Sequence, residues 1–152
     1  MNKKINFSSL LRKANNLTDI FLYYKKKFPN QKFLFKKKEN NWMGKSFFNI
    51  GLDVEKIAST LQHLGVQKGE RVFLLSSNRI EWVEFDIAIM QSGGTTVPSF
   101  VTNNITDNKF IIKDCQPKVI ILESEQIYLK NKSFLKNFDQ SKIIIIEKTK
   151  ND

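Results

Sequence analysis

Four short runs rich in apolar residues alternate with stretches of helical length, and this alternation constrains the fold more than any other feature. The runs are Val72 to Leu75, Thr95 to Val97 with Pro98 as its end, Lys118 to Leu122, and Lys142 to Ile146. Strands that are apolar on both sides are typical of parallel sheets, because crossover helices cover both faces. The pattern therefore predicts an α/β fold: a layered, mainly parallel sheet with helices on both faces.

Capping and breaking residues mark the helices between these runs. Asn78 and Glu81 have the spacing of a capping box and predict a helix that extends to about Gln91. Apolar residues on two of its faces indicate a helix packed between layers, and Gly93-Gly94 ends it. Two further helices are predicted, from about Thr106 to Asp114 and from about Ser124 to Phe138.

The first third of the chain predicts a smaller arrangement. Apolar residues at helical spacing over 17–28 predict a helix that Pro29 stops. Two short extended runs, around 32–35 and 42–45, are separated by polar residues and predict a small N-terminal hairpin. Ser46 is then expected to cap a helix that reaches about residue 64.

The domain organisation follows from where this periodicity begins. Residues 1–16 show little of it and are interpreted as a flexible leader. Residues 17–152 are interpreted as one partial domain, because no internal repeat or low-complexity linker divides them.

Cysteine and histidine are too scarce for several classes of site. The single cysteine, Cys115, excludes a disulfide scaffold and a cysteine-based metal site. The single histidine, His63, leaves almost no material for a Ser-His-Asp triad or a histidine-rich metal site. The longest aliphatic run, 143–146, is far shorter than the roughly 18 residues of a membrane-spanning helix. Because the first residues also lack a secretory apolar stretch, we expect a cytoplasmic protein.

The formal charge of +10 raises the question of an anionic partner. Only Arg12, Arg71 and Arg79 are arginines among the 25 basic residues, which disfavours nucleic acid as a partner because arginine reads phosphate and base edges better than lysine. Lysines cluster at 25–27 and 36–38, so peripheral association with an anionic membrane stays open beside a simple solvated surface.

No assembled catalytic or phosphate-binding motif is visible. The strand at 72–75 leads into Ser76 without the glycines of a dinucleotide fingerprint, and a P-loop is absent. Asn78 and Arg79 are the most interesting polar pair, because they follow a strand at the edge where doubly wound folds place ligands. Their alternative roles are structural: Asn78 would cap the helix, and Arg79 would pair with a nearby carboxylate.

The remaining candidates favour structural roles. Glu123 at a strand end is interpreted as a weak site signal or a helix opener. Trp82 and Phe85 could line a pocket, but packing in the core is favoured. His63 is expected on a partly exposed helix, and Cys115 as a small buried residue. No catalytic, cofactor-binding or metal-binding residue is therefore assigned.

Several strings, in order, do resemble a known family. LQHLGVQKGERVFLL at 61–75 and SSNRIEWVEFDIAIMQSGGTTVPSF at 76–100 resemble the N-terminal region of AMP-forming acyl-CoA synthetases, and most of all the long-chain fatty acid–CoA ligases. IIKDCQPKVII at 111–121 resembles a helix–strand step of the same family. Asn49 and Asn103-Asn104 depart from its usual acidic and Ser/Thr-rich positions, and these departures are expected to weaken local capping.

The resemblance implies an enzyme that uses ATP, Mg²⁺ and coenzyme A to convert a fatty acid into an acyl-adenylate and then a thioester. The family's phosphate loop, adenine-binding string, ribose-binding aspartate and catalytic lysine have no counterpart in this sequence. The chain is therefore interpreted as an N-terminal fragment that is inactive alone and binds none of these cofactors alone. An exposed sheet edge that promotes self-association is expected. A non-enzymatic module that binds a membrane surface or a protein is the alternative.

Overall fold

The computed structural model describes residue 12 and residues 14–147. The chain divides into two compact units, Met1–Asp53 and Val54–Asp152. Most of the predicted leader, 1–16, lies outside the described residues, and the prediction of one partial domain over 17–152 stays a prediction. None of the helices in the described part of the chain has the length and apolar character needed to span a bilayer.

The first unit contains a helix and a hairpin, as the sequence predicts. Its elements are α1 (Leu17–Lys27), β1 (Lys32–Lys38), β2 (Asn41–Ser46) and the start of α2 (Phe47–His63). The side chain of Asn16 caps α1 by accepting a hydrogen bond from the backbone N–H of Asp19 at 2.9 Å. β1 and β2 pair antiparallel and are longer than predicted.

Aromatic side chains form the interior of this unit. The rings of Phe33 and Phe47 stack at 4.5 Å, and Phe21 and Tyr24 lie against Phe47 at 6.1 and 5.7 Å. The predicted cap of α2 is confirmed, since the Ser46 hydroxyl accepts a hydrogen bond from the Asn49 N–H at 3.3 Å. Burial of the Phe21 and Phe47 rings stabilises this small unit.

The second unit holds the predicted parallel sheet, with helices between its strands. Its elements are β3 (Arg71–Leu75), α3 (Ile80–Gln91), β4 (Thr95–Ser99), α4 (Ile105–Cys115), β5 (Val119–Ser124), α5 (Glu125–Leu135), a 3₁₀ turn (Gln140–Lys142) and β6 (Ile143–Glu147). The strand order is β4-β3-β5-β6, and all three pairings are parallel. The α/β class is therefore confirmed.

Alternate residues of the central strands supply a core on each face of the sheet. On one face, Leu74 and Ile121 pack with α2 and α3 through buried residues such as Leu61 and Ile89. On the other face, Phe73 and Ile120 pack with residues of α4 and α5, including the buried Leu135. Central strands that are buried on both faces explain why their sequences are continuously apolar rather than alternating.

Three local predictions are wrong. Asn78 does not cap α3, because the helix begins at Ile80 with Arg79 in the cap position and no side-chain cap bond. Pro98 does not end β4 but pairs with Leu74 inside it. β4 is an edge of the described sheet, and proline is tolerated on an edge where its missing N–H would face away from the neighbouring strand.

The third correction concerns the asparagines between β4 and α4. Their departure from a Ser/Thr-rich loop was expected to weaken capping, yet Asn104 caps α4 by accepting a hydrogen bond from the Asp107 N–H at 2.8 Å. Asparagine is as good a helix cap as serine, which explains the outcome. Asn103 donates its side-chain amide to the hydroxyl of Ser99 at 3.1 Å.

A glycine turn sets the separation between α3 and β4. Gly93 has φ of +91°, and a Cβ atom there would lie 3.3 Å from the backbone Cα of Lys68. Its carbonyl accepts a hydrogen bond from the Gly69 N–H at 2.9 Å, so the two turns lie in contact. Only glycine combines this left-handed conformation with so close a backbone approach.

Candidate functional site

The carboxyl ends of β3 and β4 form a pocket of about 420 Å³. It is lined by Ser76, Ser77, Asn78, Trp82 and residues 98–102. In open α/β sheets, ligands bind outside the carboxyl ends of the strands, where successive connections leave a crevice. This edge is therefore the candidate functional site of the described residues.

A carboxylate at the end of β5 holds the loop that borders this pocket. Glu123 Oε2 accepts a hydrogen bond from the backbone N–H of Ser77 at 2.5 Å and one from the Ser76 hydroxyl at 3.1 Å. Burial opposes ionisation of Glu123, but these hydrogen bonds and the charge of Arg79 outweigh it and lower the pKa of the carboxyl. Glu123 is thus an ionised clamp on the loop after β3.

Of the two roles that the sequence left open for Glu123, opening the next helix is not the one observed. Ser124 caps α5, since its hydroxyl accepts a hydrogen bond from the Ile127 N–H at 3.4 Å. Glu125 is the acidic residue in the first turn of that helix. The side chain of Glu123 instead connects the ends of two neighbouring strands.

Arg79 connects the same loop to β6. Its guanidinium donates to Glu81 at 2.9 Å and to Glu147 at 2.5 Å, and its side chain is only 12% exposed. The hydrogen bond to Glu81 is the main reason that the pKa of Arg79 rises above its ordinary value, although burial opposes the rise. The prediction that Arg79 pairs with a nearby carboxylate is confirmed.

A buried polar chain lies behind the end of β4. The Ser99 hydroxyl donates to Asn108 Oδ1 at 2.8 Å, and Asn108 donates to Asn131 Oδ1 at 3.2 Å. Asn131 in turn donates to the carbonyl of Ile127 at 2.8 Å. All three polar residues are almost fully buried, so these bonds fix the positions of β4, α4 and α5 relative to one another.

The structure brings some of the candidate residues together and separates others. Asn78 is exposed at the pocket, while Trp82 both lines the pocket and packs against the core, and Phe85 belongs to that core. His63 is exposed on α2 with Nδ1 2.8 Å from the Ser59 carbonyl oxygen. Cys115 is half-buried, and burial raises the pKa of its thiol.

Sequence reasoning missed the polar chain and the partner of Arg79. Asn131 carried a usable signal, because it stands four residues from both Ile127 and Leu135 on the inward stripe of α5. Glu147 carried none, since its pairing with Arg79 joins residues from distant parts of the sequence and depends on the strand order.

A sequence profile described as AMP-binding enzyme matches residues 24–152. The chain belongs to the AMP-binding enzyme family. The resemblance inferred from the strings around β3, α3 and β4 is therefore confirmed.

Named relatives agree with the AMP-binding family. The chain is 33% identical over 72 residues to the long-chain-fatty-acid–CoA ligase FadD15 of Mycobacterium tuberculosis, an alignment covering 47% of this chain and 12% of that protein. It is 23% identical over 120 residues to the long-chain-fatty-acid–CoA ligase ACSBG1 of Rattus norvegicus, covering 79% of this chain and 17% of that protein. The chain thus spans less than a fifth of these curated relatives.

A solved structure supports the fold. The anthranilate CoA ligase AuaEII, in complex with anthranoyl-AMP, superimposes with a TM-score of 0.74 at 24% identity. The match covers 86% of this chain and 25% of that chain. The chain therefore shares its fold with the matched part of that ligase.

The described residues do not fit a magnesium–triphosphate group. The charged side chains at the carboxyl edge already have partners within the protein. Arg79 pairs with Glu81 and Glu147. Glu123 accepts hydrogen bonds from Ser76 and Ser77. Across residues 14–147, no three His, Cys, Asp or Glu side chains cluster closely enough to hold a metal ion. A triphosphate needs several donors aimed outward, and this edge aims its arginine at carboxylates.

Proposed function

We propose that this chain supplies the N-terminal part of an ATP-dependent, AMP-forming long-chain fatty acid–CoA ligase. The supporting observation is the match to the AMP-binding family over 24–152, together with relatives named as long-chain-fatty-acid–CoA ligases. In the proposed reaction, a carboxylate oxygen of the fatty acid attacks the α-phosphorus of ATP and releases pyrophosphate. The coenzyme A thiol then attacks the acyl carbonyl and releases AMP, while Mg²⁺ would neutralise phosphate charge.

The described residues would line one side of the site of such a reaction and would not transfer its protons or bind its phosphates. Ser76, Asn78, Trp82 and Phe100 at the pocket offer hydrogen bonds and apolar surface, and none of them titrates near neutral pH. The clamp at Glu123 and the ion pairs of Arg79 hold that side of the site in place. We therefore propose that the chain alone is inactive and binds neither ATP nor coenzyme A by itself.

Two experiments test this proposal. The purified chain, incubated with palmitate, ATP and Mg²⁺, is expected to show no ATP–pyrophosphate exchange above a no-protein blank. A chimera of FadD15, in which residues 24–147 of this chain replace the matching segment, is expected to retain measurable exchange. The matched control is FadD15 without that segment, which is expected to be inactive.

The outcomes separate the two parts of the proposal. Exchange by the isolated chain would refute its inactivity but not its family chemistry. A chimera that is monodisperse and folded by circular dichroism, yet shows no exchange, would refute its role as a ligase segment.

We also propose that isolated copies associate through a sheet edge. In the described sheet, β4 and β6 each pair on one side only, and residues 143–146 of β6 are all isoleucine. Apolar edge strands are templates for pairing with another chain. Light scattering after size exclusion is expected to show mass that rises with concentration, whereas a monomer at every concentration would contradict association.

The proposed compartment is the cytoplasm. Its support is the single free cysteine, Cys115, which is half-buried and unpaired with any other cysteine. Fractionation of cells that express the chain would test this placement, and recovery from a secreted fraction would contradict it.

A further inference from the structure

The hairpin of the first unit exposes large apolar side chains beside lysines. Trp42 is 68% exposed, Met43 58% and Phe35 53%, although each stands in a regular strand. Lys36, Lys37 and Lys38 are exposed on the same strand as Phe35. We call Phe35–Lys38 together with Trp42 and Met43 the hairpin surface.

The register of the two strands places these residues on both faces of the hairpin. Phe35 pairs with Gly44 and Lys37 with Trp42, so Phe35 and Trp42 share one face. Lys36 pairs with Met43, which puts an apolar side chain and a lysine on the opposite face. On each face of the hairpin, an apolar side chain therefore lies directly opposite a lysine on the neighbouring strand.

The lack of a side chain at Gly44 helps to position Phe35. A Cβ atom at Gly44 would lie 2.8 Å from Cε1 of Phe35, so the phenyl ring lies over the bare glycine backbone. Phe33, two residues earlier on the same strand, stacks on Phe47 with its ring partly covered. Phe35 is left with the more exposed ring of the two, 53% against 39% for Phe33.

The charge of the hairpin is predominantly positive. From residue 31 to residue 46 the only acidic side chain is Glu39, at the turn, against five lysines. Of these lysines, Lys45 pairs with Asp53 at 2.5 Å. The lysines of the hairpin surface therefore face solvent as a cationic patch.

We propose that the turn end of the hairpin, where the hairpin surface lies on both faces, enters the headgroup region of an anionic lipid bilayer end-on. Tryptophan and phenylalanine favour the interface between water and hydrocarbon, where an apolar ring can enter while polar groups stay wet. Lysines beside them reach anionic headgroups with their ammonium ends while their methylene stems cover apolar surface. This inference does not depend on the proposed ligase function.

Vesicle sedimentation tests the electrostatic half of the proposal. The full chain is mixed with phosphatidylcholine vesicles containing about 30% phosphatidylserine at about 0.15 M salt, where the Debye length is about 8 Å. Wild type is expected to bind these vesicles and to bind pure phosphatidylcholine weakly. The triple variant Lys36→Glu, Lys37→Glu, Lys38→Glu is expected to lose roughly tenfold or more in partition coefficient.

A second triple variant tests whether a loss of vesicle binding is caused by the change in net charge alone. Lys68, Lys109 and Lys136 are exposed and lie outside the hairpin, so their triple change to Glu alters net charge equally. That variant is expected to lose less than about threefold, because lysines away from a bilayer contact contribute little at this screening length. Equal losses in the two triple variants, or no binding by wild type, would overturn the proposal.

Fluorescence tests the apolar half. Brominated lipids are expected to quench the emission of Trp42 on binding, and Trp42→Phe is expected to abolish this quenching while Trp82 still emits. Binding to vesicles without any quenching, or tighter binding to a short single-stranded nucleic acid than to vesicles, would also overturn the proposal. Circular dichroism of each variant is expected to match that of wild type, because the substituted residues are exposed.

Discussion

The carboxylate of Glu123, at the end of β5, accepts a hydrogen bond from the backbone N–H of Ser77, just after β3, across 2.5 Å. These residues are far apart in sequence but neighbours in the sheet, because β3 and β5 pair directly. The bond satisfies a donor that the end of β3 would otherwise leave without a strand partner. One side chain therefore fixes the path of the loop that borders the pocket.

Glu123→Gln is expected to lower the free energy of unfolding by about 1–2 kcal/mol, because a charged acceptor is exchanged for a neutral one. Urea denaturation at pH 7 would measure the change. Asp114→Asn, which removes a carboxylate at an exposed position, serves as the control and is expected to change stability by less than about 0.5 kcal/mol. Equal effects of the two substitutions would show that Glu123 is not a clamp.

The same carboxylate predicts an acid-sensitive fold. The pKa of Glu123 is lowered in the folded protein, so the unfolded chain takes up its proton at higher pH. Its stabilising contribution is complete above the ordinary carboxyl pKa of about 4.3 and is lost as pH falls through the lower folded value. Wild type is therefore expected to lose more stability than Glu123→Gln between about pH 6 and pH 3, as urea midpoints would show.

The pKa of Asp139 is also lowered, chiefly by hydrogen bonds from Ser141. This second carboxylate affects the acid sensitivity of wild type and of Glu123→Gln equally. Subtracting the urea midpoint of Glu123→Gln from that of wild type at each pH therefore removes the contribution of Asp139. Parallel pH profiles for the two proteins would contradict the assignment to Glu123.

Arg79 and Glu147 are expected to be energetically coupled. A double-mutant cycle with Arg79→Ala, Glu147→Gln and both together is expected to give a coupling energy of about 0.5–1 kcal/mol, since the carboxylate is 56% exposed and screened. Hydrogen exchange in β6 is expected to accelerate in either single variant, because the pair joins the end of that strand to the loop after β3. A coupling energy near zero would mean that Glu81 alone holds the guanidinium.

Asn108→Ala is expected to destabilise the chain by about 2–3 kcal/mol. The substitution removes the hydrogen bonds that Asn108 makes to the Ser99 hydroxyl and to Asn131 Oδ1. Both atoms are buried, and a buried polar atom without a hydrogen-bond partner lowers the free energy of unfolding. Asn137→Ala at an exposed position is the control and is expected to have little effect on thermal midpoints. Similar midpoints for the two variants would indicate that water replaces the lost partners.

Gly93→Ala is expected to cost more stability than Gly69→Ala. Both glycines have φ above +80°, so each substitution carries a conformational penalty of about 1 kcal/mol. A Cβ at Gly93 also meets the backbone of Lys68 at 3.3 Å, whereas one at Gly69 meets nothing within 4 Å. Chemical denaturation of the pair would measure the excess, and equal losses would exclude a steric contribution.

The sequence predicted elements well where local rules decide and failed where distant residues decide. The strands at 72–75 and 119–122 could be found because burial on both faces leaves no alternation to misread. The capping pattern at Asn78 and Glu81 misplaced the start of α3 by one residue, because Arg79 takes the extended conformation of the cap position without a side-chain cap bond. Strand order, and with it the Arg79–Glu147 pair, depends on tertiary packing that no local pattern contains.

The candidate site was predictable in place but not in composition. Its location at the end of β3 followed from the parallel sheet, and Asn78 and Trp82 do line the pocket. The residues after β4, 100–102, and the polar chain behind Ser99 went unnoticed, since neither carries a motif. In the sequence a buried asparagine such as Asn131 resembles a surface residue until its spacing from Ile127 and Leu135 on the same helix face is considered.

The strand order has a consequence for the newborn chain. β3 lies between β4 and β5, so one edge of this strand, which is apolar from Val72 to Leu75, stays open until Val119 to Ser124 have left the ribosome. At roughly 5–20 residues per second, synthesis of the stretch from Leu75 to Val119 lasts several seconds. During that interval Val72 to Leu75 have one unpaired strand edge, which leaves them open to pairing with other chains.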